Sequence, residues 1–161
     1  MLPIHIVGHA GCGKTTLIVD LIKELINKNI KVGTLKHSAH IHELDKPGKD
    51  SFAHRIAGAA PVTVVTEQMS AIYLPRNTDT TPEKLLETYY SDVDIVLIEG
   101  WISGPFQKIE LFREIIGKPP LFLNIKNVKA IVSDDAIENT DIQIFQRSSI
   151  DLIINFLITL K

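Results

Sequence analysis

An α/β layer fold with a mostly parallel sheet flanked by helices is predicted by two features of the sequence. Short runs rich in Val and Ile recur along the chain, some apolar on both faces, as strands of a buried parallel sheet are. The stretches between them carry helical periodicity, and alternation of this kind builds βαβ units. At 161 residues and 17.9 kDa, with 45% hydrophobic residues, the chain has the size of one globular domain with a real core, so a single domain over 1–161 is expected. No internal repeat, low-complexity tract or linker divides it.

The first strand is read in PIHIVG (3–8), followed by the amphipathic TTLIVDLIKELINK (15–28), with Leu17, Leu21, Ile22 and Leu25 on one face. KVGTLK (31–36) is the second strand. The segment HSAHIHELDKPGKDS (37–51) has neither period and leads into a short helix in DSFAHRIAGA. PVTVVT (61–66) and SAIYLP (70–75) read as strands, and TPEKLLETYY (81–90) as a helix with Thr81 as cap and Pro82 at its first position. DIVLIEG (94–100), KIELFR (108–113) and VKAIVSD (128–134) are further strands, and KIELFR is a possible edge for pairing between subunits. SSIDLIINFLITLK (148–161) closes the chain as a helix, with Ser148 and Asp151 at capping-box spacing.

Bulk properties narrow the partners. A net charge of −2 and a pI near 6.3 give no general attraction to nucleic acid or anionic membranes. The single cysteine, Cys12, excludes an internal disulfide framework and fits a reducing compartment. The longest apolar stretch, 150–160, is too short to span a bilayer and carries Asp151 and Asn155, and PIHIVG opens the chain without a signal-type leader. A soluble cytoplasmic protein is expected.

GHAGCGKT (8–15) satisfies the G-x-x-x-x-G-K-[ST] pattern, between a strand and a helix as that motif requires. It makes the expected fold that of a P-loop NTPase. Gly8, Gly11 and Gly13 let the backbone turn tightly and approach phosphates, whose charge meets amide donors and the positive helix end. Lys14 is expected on the β/γ-phosphates and the Thr15 hydroxyl on Mg²⁺. Cys12, inside the cradle, is read as a small residue contributing its backbone amide. The second acid such a site needs is Glu99, ending the run 95–98, either through a metal-bound water or by orienting the attacking water.

No N-K-x-D sequence marks a guanine site, so the motif leaves guanine against adenine open. Ser133-Asp134-Asp135, beyond a strand's carboxyl end, could accept hydrogen bonds from guanine N1 and N2, or could form an ordinary turn. The 37–51 segment has three readings: a metal site from His37, His40 and His42 with Glu43 or Asp45, a solvated loop, or a substrate loop using Lys46, Lys49 and His37.

GHAGCGKTTL, TLKHSAHIHELDKPGKDSFAHRIAGA, DIVLIEGW followed by QKIELFR, and AIVSDD together resemble the molybdopterin-guanine dinucleotide biosynthesis protein B (MobB) family, in order and over nearly the whole chain. The resemblance implies a GTP-binding P-loop protein, usually a homodimer, with weak GTP hydrolysis. It further implies an adaptor to the guanylyltransferase that joins GMP to molybdopterin, the molybdopterin-type cofactor being the other partner. Carried over residue by residue, it puts nucleotide phosphates on Gly11, Gly13, Lys14, Thr15 and Thr16, and the Mg²⁺-side acid at Glu99. The block Asp45-Lys46-Pro47-Gly48-Lys49-Asp50-Ser51 matches the family's segment. Two departures stand out: Cys12, where a small polar residue is usual, and Trp101, where Phe is expected. Lys14 and Glu99 are the expected catalytic pair, and Arg55 and Arg113 are candidates for further contacts. A metal-delivery GTPase using the His37–His42 loop and a small-molecule P-loop kinase are the alternatives.

Overall fold

The computed structural model describes residues 1–38, 41–77 and 80–161. The chain forms two compact units, one from 1–39 with 90–161 and the other from 40–89.

The larger unit holds a six-stranded sheet. In chain order its elements are β1 (Leu2–Val7), α1 (Lys14–Asn27), β2 (Val32–Lys36) and, after the smaller unit, β5 (Ile95–Glu99), β6 (Gln107–Leu111), β7 (Val128–Val132), β8 (Gln143–Phe145) and α4 (Ile150–Thr159). The strand order is β2-β5-β1-β6-β7-β8, and every neighbouring pair is parallel. KIELFR therefore supplies no edge: β6 is hydrogen-bonded on both sides, to β1 and β7, and β2 and β8 form the edges. β8 has no counterpart in the sequence reading.

Period-2 alternation divides the sheet's residues between its faces. Ile4 and Ile6 of β1, Leu97 of β5 and Ile109 and Leu111 of β6 pack with Leu17, Leu21 and Leu25 of α1 and with Ile153, Ile154 and Leu157 of α4. Each of these side chains is at most 2% exposed, and burying one leucine contributes about 2 kcal/mol. The other face carries His5, Lys108 and Glu110, also buried, with His5 opposite Lys108 and Val7 opposite Glu110 in register.

Ser148 does not cap the last helix. The residue at its N-cap is Ser149, with no side-chain cap hydrogen bond, and Asp151 instead pairs with Lys28 at 3.0 Å.

The smaller unit contains α2 (Asp50–Ile56), β3 (Val62–Val65), β4 (Ser70–Tyr73) and α3 (Pro82–Tyr89). β3 and β4, expected among the strands of the buried sheet, instead pair antiparallel with each other as a separate two-stranded sheet. Its turn is held by Thr66: its N–H donates to the Met69 carbonyl at 2.9 Å, and its hydroxyl accepts from the Met69 N–H at 3.1 Å. α3 starts as expected, with Pro82 first and the Thr81 hydroxyl accepting from the Lys84 N–H at 3.3 Å. No helix among the described residues is long and apolar enough to cross a membrane.

Candidate functional site

The P-loop leaves the carboxyl end of β1, at the middle of the sheet and between β5 and β6, where the chain crosses from one side of β1 to the other. Ligands of open α/β sheets bind at such a crossing. Gly8, Gly11 and Gly13 all have left-handed φ, at 147°, 81° and 98°. Gly8 also has no room for a side chain, because a Cβ would lie 2.4 Å from the Leu111 carbonyl oxygen. Gly13 is the N-cap of α1, so the loop delivers its amides to a 14-residue helix's positive end.

Lys14 folds back over the loop, its Nζ donating to the carbonyls of Gly8 (2.8 Å) and His9 (2.9 Å). The ammonium is thereby held across the concavity where phosphates would sit. Thr15 Oγ1 donates to Glu99 Oε1 at 3.1 Å, joining the first turn of α1 to the end of β5, and Lys36 Nζ lies 3.5 Å from the same oxygen. A hydroxyl and a carboxylate side by side form a hard oxygen donor pair of the kind Mg²⁺ takes. Cys12 is buried, and burial raises its thiol above the usual cysteine value although Lys14 works against this. A thiol so held is a poor nucleophile.

On the β6–β7 flank of the loop is a cavity of about 330 Å³, lined by Gly13, Thr16, Arg113, Asp134, Asp135 and Arg147 among others. Its acids are fixed by backbone. Asp135 Oδ2 accepts from the Glu114 N–H at 2.7 Å, and Asp134 Oδ1 accepts from the Arg147 N–H at 2.9 Å. Arg147 in turn is held by Asp20 at 2.8 Å.

Residues 3–134 match the family described as Molybdopterin guanine dinucleotide synthesis protein B, MobB. The chain belongs to the MobB family. It is 33% identical over 156 residues to the molybdopterin-guanine dinucleotide biosynthesis adapter protein of Escherichia coli, covering 92% of this chain and 87% of that one. The corresponding adapter protein of Haemophilus influenzae is 37% identical over 117 residues, covering 72% and 66%. Among solved structures, Bacillus subtilis MobB superposes with a TM-score of 0.76 at 25% identity, covering 96% and 97% of the two chains.

Within this MobB chain, Gly11, Cys12, Gly13, Lys14, Thr15, Thr16 and Glu99 meet at the carboxyl end of β1, and Asp134 and Asp135 line the adjoining cavity. The 37–51 segment divides. His37 belongs to the larger unit, where its ring stacks on Trp101 at 5.7 Å. Asp45, Lys46, Lys49 and Asp50 belong to the smaller one, lining a cavity of about 660 Å³ against β3 and β4. Asp45 is buried there, its Oδ1 accepting from the Lys46 N–H (2.8 Å) and the Ser51 hydroxyl (3.0 Å). Arg55 pairs with Glu43, whose carboxyl the guanidinium's hydrogen bond holds below the usual carboxylate range. Among the described residues no group of three or more His, Cys, Asp or Glu is placed to hold a metal ion; His40 lies outside them.

Three residues near the loop escaped the sequence reading. Glu110, fully buried, accepts from the N–H groups of Leu121 (2.6 Å) and Phe122 (2.8 Å) and so anchors the short 3₁₀ turn Leu121–Leu123. His9 Nε2 is 2.9 Å from the Pro119 carbonyl, tying the P-loop to the chain just before that turn. Lys108, 3% exposed, donates to the carbonyls of Gly104 (2.6 Å) and Phe106 (3.2 Å). The alternating polar positions of KIELFR were the only signal of Lys108 and Glu110, and that pattern ordinarily marks a solvated face; His9 sits at a variable position of the P-loop motif, which gives it none.

Proposed function

We propose that the chain binds GTP with Mg²⁺ at its P-loop and acts as an adaptor in molybdopterin guanine dinucleotide synthesis, docking on the guanylyltransferase that handles the molybdopterin-type cofactor. The observation that carries the nucleotide half is the joint placement of Lys14 across the loop and the Thr15–Glu99 pair beside it. Lys14 would exchange its two carbonyl partners for β/γ-phosphate oxygens, and Thr15 would turn its hydroxyl oxygen to Mg²⁺ while Glu99 holds the ion's water shell. The ion, when bound, neutralises charge growing on the phosphates. Glu99 is also the group available to position an attacking water, which gives the protein slow GTP hydrolysis.

Asp134 and Asp135 support guanine over adenine. Each uses one carboxylate oxygen on a backbone N–H, and the second can accept from guanine N1–H and N2–H; adenine offers no such donor pair. Lys46, Lys49, Asp45, Asp50 and His37 are the proposed substrate-loop residues, and a homodimer in the cytoplasm is the proposed working form. The adaptor half rests on the names of the relatives, 33% and 37% identical.

Calorimetric titration with GTP and with ATP, each with Mg²⁺, tests the first half. GTP should bind and ATP bind at least about tenfold more weakly, since a mismatched buried hydrogen-bond pair costs that much or more. Lys14→Ala should abolish binding without unfolding the protein; unchanged affinity in a folded variant sinks the assignment. Repeating the titration with molybdopterin-loaded guanylyltransferase tests the second half, and no complex formation would remove the adaptor role.

A further inference from the structure

Beside the P-loop, under the turn that follows β5, lies a second and larger cavity, of about 720 Å³, which shares Gly8 and Lys14 with the phosphate cradle and extends beyond the groups the nucleotide needs. Its walls include Gly8, Ala10 and Lys14 of the loop, the turn Gly100–Gly104, Lys108 of β6, and Asn124–Lys126. Three lysines, Lys14, Lys108 and Lys126, line it together with His37, and among the described residues no carboxylate lines it. Such a wall selects an anion.

Lys108 shows that the charge is built in. It is 3% exposed, yet its ammonium meets the two neutral carbonyls of Gly104 and Phe106, which use two of its three donors. A buried cation held by neutral groups alone is costly, and an anion within reach offsets the cost. Burial also lowers its pKa from the ordinary lysine value, because the charged form is penalised away from water.

The rest of the wall calls for an organic body. About 720 Å³ is several times what a phosphate group fills and lies within the range of small-molecule sites. Trp101, His37, Ile102 and Ile125 supply ring and apolar surface. Trp101 is held there under backbone strain, with φ of 51° in a left-handed conformation that aromatic residues rarely adopt. The strain is maintained by packing: His37 stacks on the indole, His5 meets its edge at 5.2 Å, and Gly104 has no space for a Cβ, which would lie 2.3 Å from the His5 ring. Strain of this sort concentrates where a side chain must be aimed at a ligand.

We propose that this cavity is a second ligand site, for a small phosphomonoester carrying a planar ring, which it holds beside the P-loop on the flank opposite the nucleotide base. The phosphate meets Lys108 and Lys126, the ring lies against Trp101 and His37, and Lys14 is shared between the two sites. It rests on the nucleotide reading only for what occupies the other flank.

Trp101 is the chain's one tryptophan, so its fluorescence reports on this cavity directly. The probe is phenyl phosphate, titrated into the full chain first without nucleotide and then with saturating GDP and Mg²⁺. A saturable change in Trp101 emission is expected in both, with phenol and inorganic phosphate each binding more weakly. Lys126→Ala, an exposed position that should not disturb folding, should weaken phenyl phosphate by about tenfold, as expected for one charge-assisted contact. Lys108→Met should abolish binding, and Arg113→Ala, in the other cavity, should leave it unchanged. No saturable change in the wild type, loss of the change when GDP is bound, or equal affinity in Lys126→Ala would overturn the proposal. If calorimetry finds no GDP binding, the nucleotide reading falls, while the Lys126→Ala and Arg113→Ala comparison still decides this cavity.

Discussion

Glu99 illustrates what a single residue does at the P-loop and how it can be isolated. Its carboxylate takes a hydrogen bond from Thr15 and faces the Lys36 ammonium, a cation standing near the place a metal would take. Glu99→Gln keeps an acceptor for Thr15 but removes the charge. Nucleotide affinity in Mg²⁺ should then fall by about tenfold towards its value in a chelator, and affinity in the chelator should not change, because only the metal-side interaction is lost. Titrations with and without Mg²⁺ check this; an equal loss in both would make Glu99 a structural support. Gly8→Ala tests the cradle itself, since its Cβ collides with backbone and the change should disable phosphate binding. Gly8 and the rest of the loop were legible in the sequence because they are contiguous, strand, glycines, lysine and threonine following one another, whereas Glu99 was marked only as an acid ending an apolar run.

At the scale of the element, legibility failed where the partner of a strand face was a loop. In KIELFR the polar Lys108 and Glu110 alternate with Ile109 and Leu111, as in a strand with one wet face. β6 instead lies inside the sheet, and its polar face is buried, Glu110 bound to the amides of Leu121 and Phe122. Glu110→Gln replaces one acceptor by an NH₂ facing a backbone donor, and should cost about 1–3 kcal/mol in denaturant unfolding. Burial raises the Glu110 pKa in the folded protein, against the effect of its two amide bonds. The folded state therefore holds the proton to higher pH than the unfolded chain does, so the stability linked to it is present at acid pH and is lost as pH rises from the ordinary glutamate range through the raised value. The gap between wild type and Glu110→Gln should narrow over that interval; a gap that widens there refutes this account. β2 offers a simpler case. A Cβ on Gly33 would lie 2.7 Å from the Tyr90 ring, whose hydroxyl donates to the Thr34 carbonyl at 2.7 Å, so Gly33→Ala should destabilise by about 1–3 kcal/mol through overpacking. β8 escaped notice because three residues give no period to read.

Across the whole molecule, the sequence order of strands and helices was visible, but their division between two sheets was not. PVTVVT and SAIYLP have the Val/Ile content of buried strands, and only their three-residue separation marks them as a hairpin. What they lack is cover. Val62 is the one buried residue of β3 and β4, Val65 and Met69 are each 72% exposed, and α2 buries none of its residues. By contrast, β1 and β5 are buried almost end to end. Local opening free energy follows apolar cover, so native-state hydrogen exchange should sort the amides into two tiers. Those of β1, β5 and β6 should exchange only through global unfolding, and those of β3, β4 and α2 at least about a hundredfold faster. Added denaturant should accelerate the first tier steeply and the second little, since small openings expose little surface. Equal protection and equal denaturant slopes would show instead that 40–89 opens only when the parallel sheet does, and that the thinly covered hairpin is stabilised by something other than its own packing.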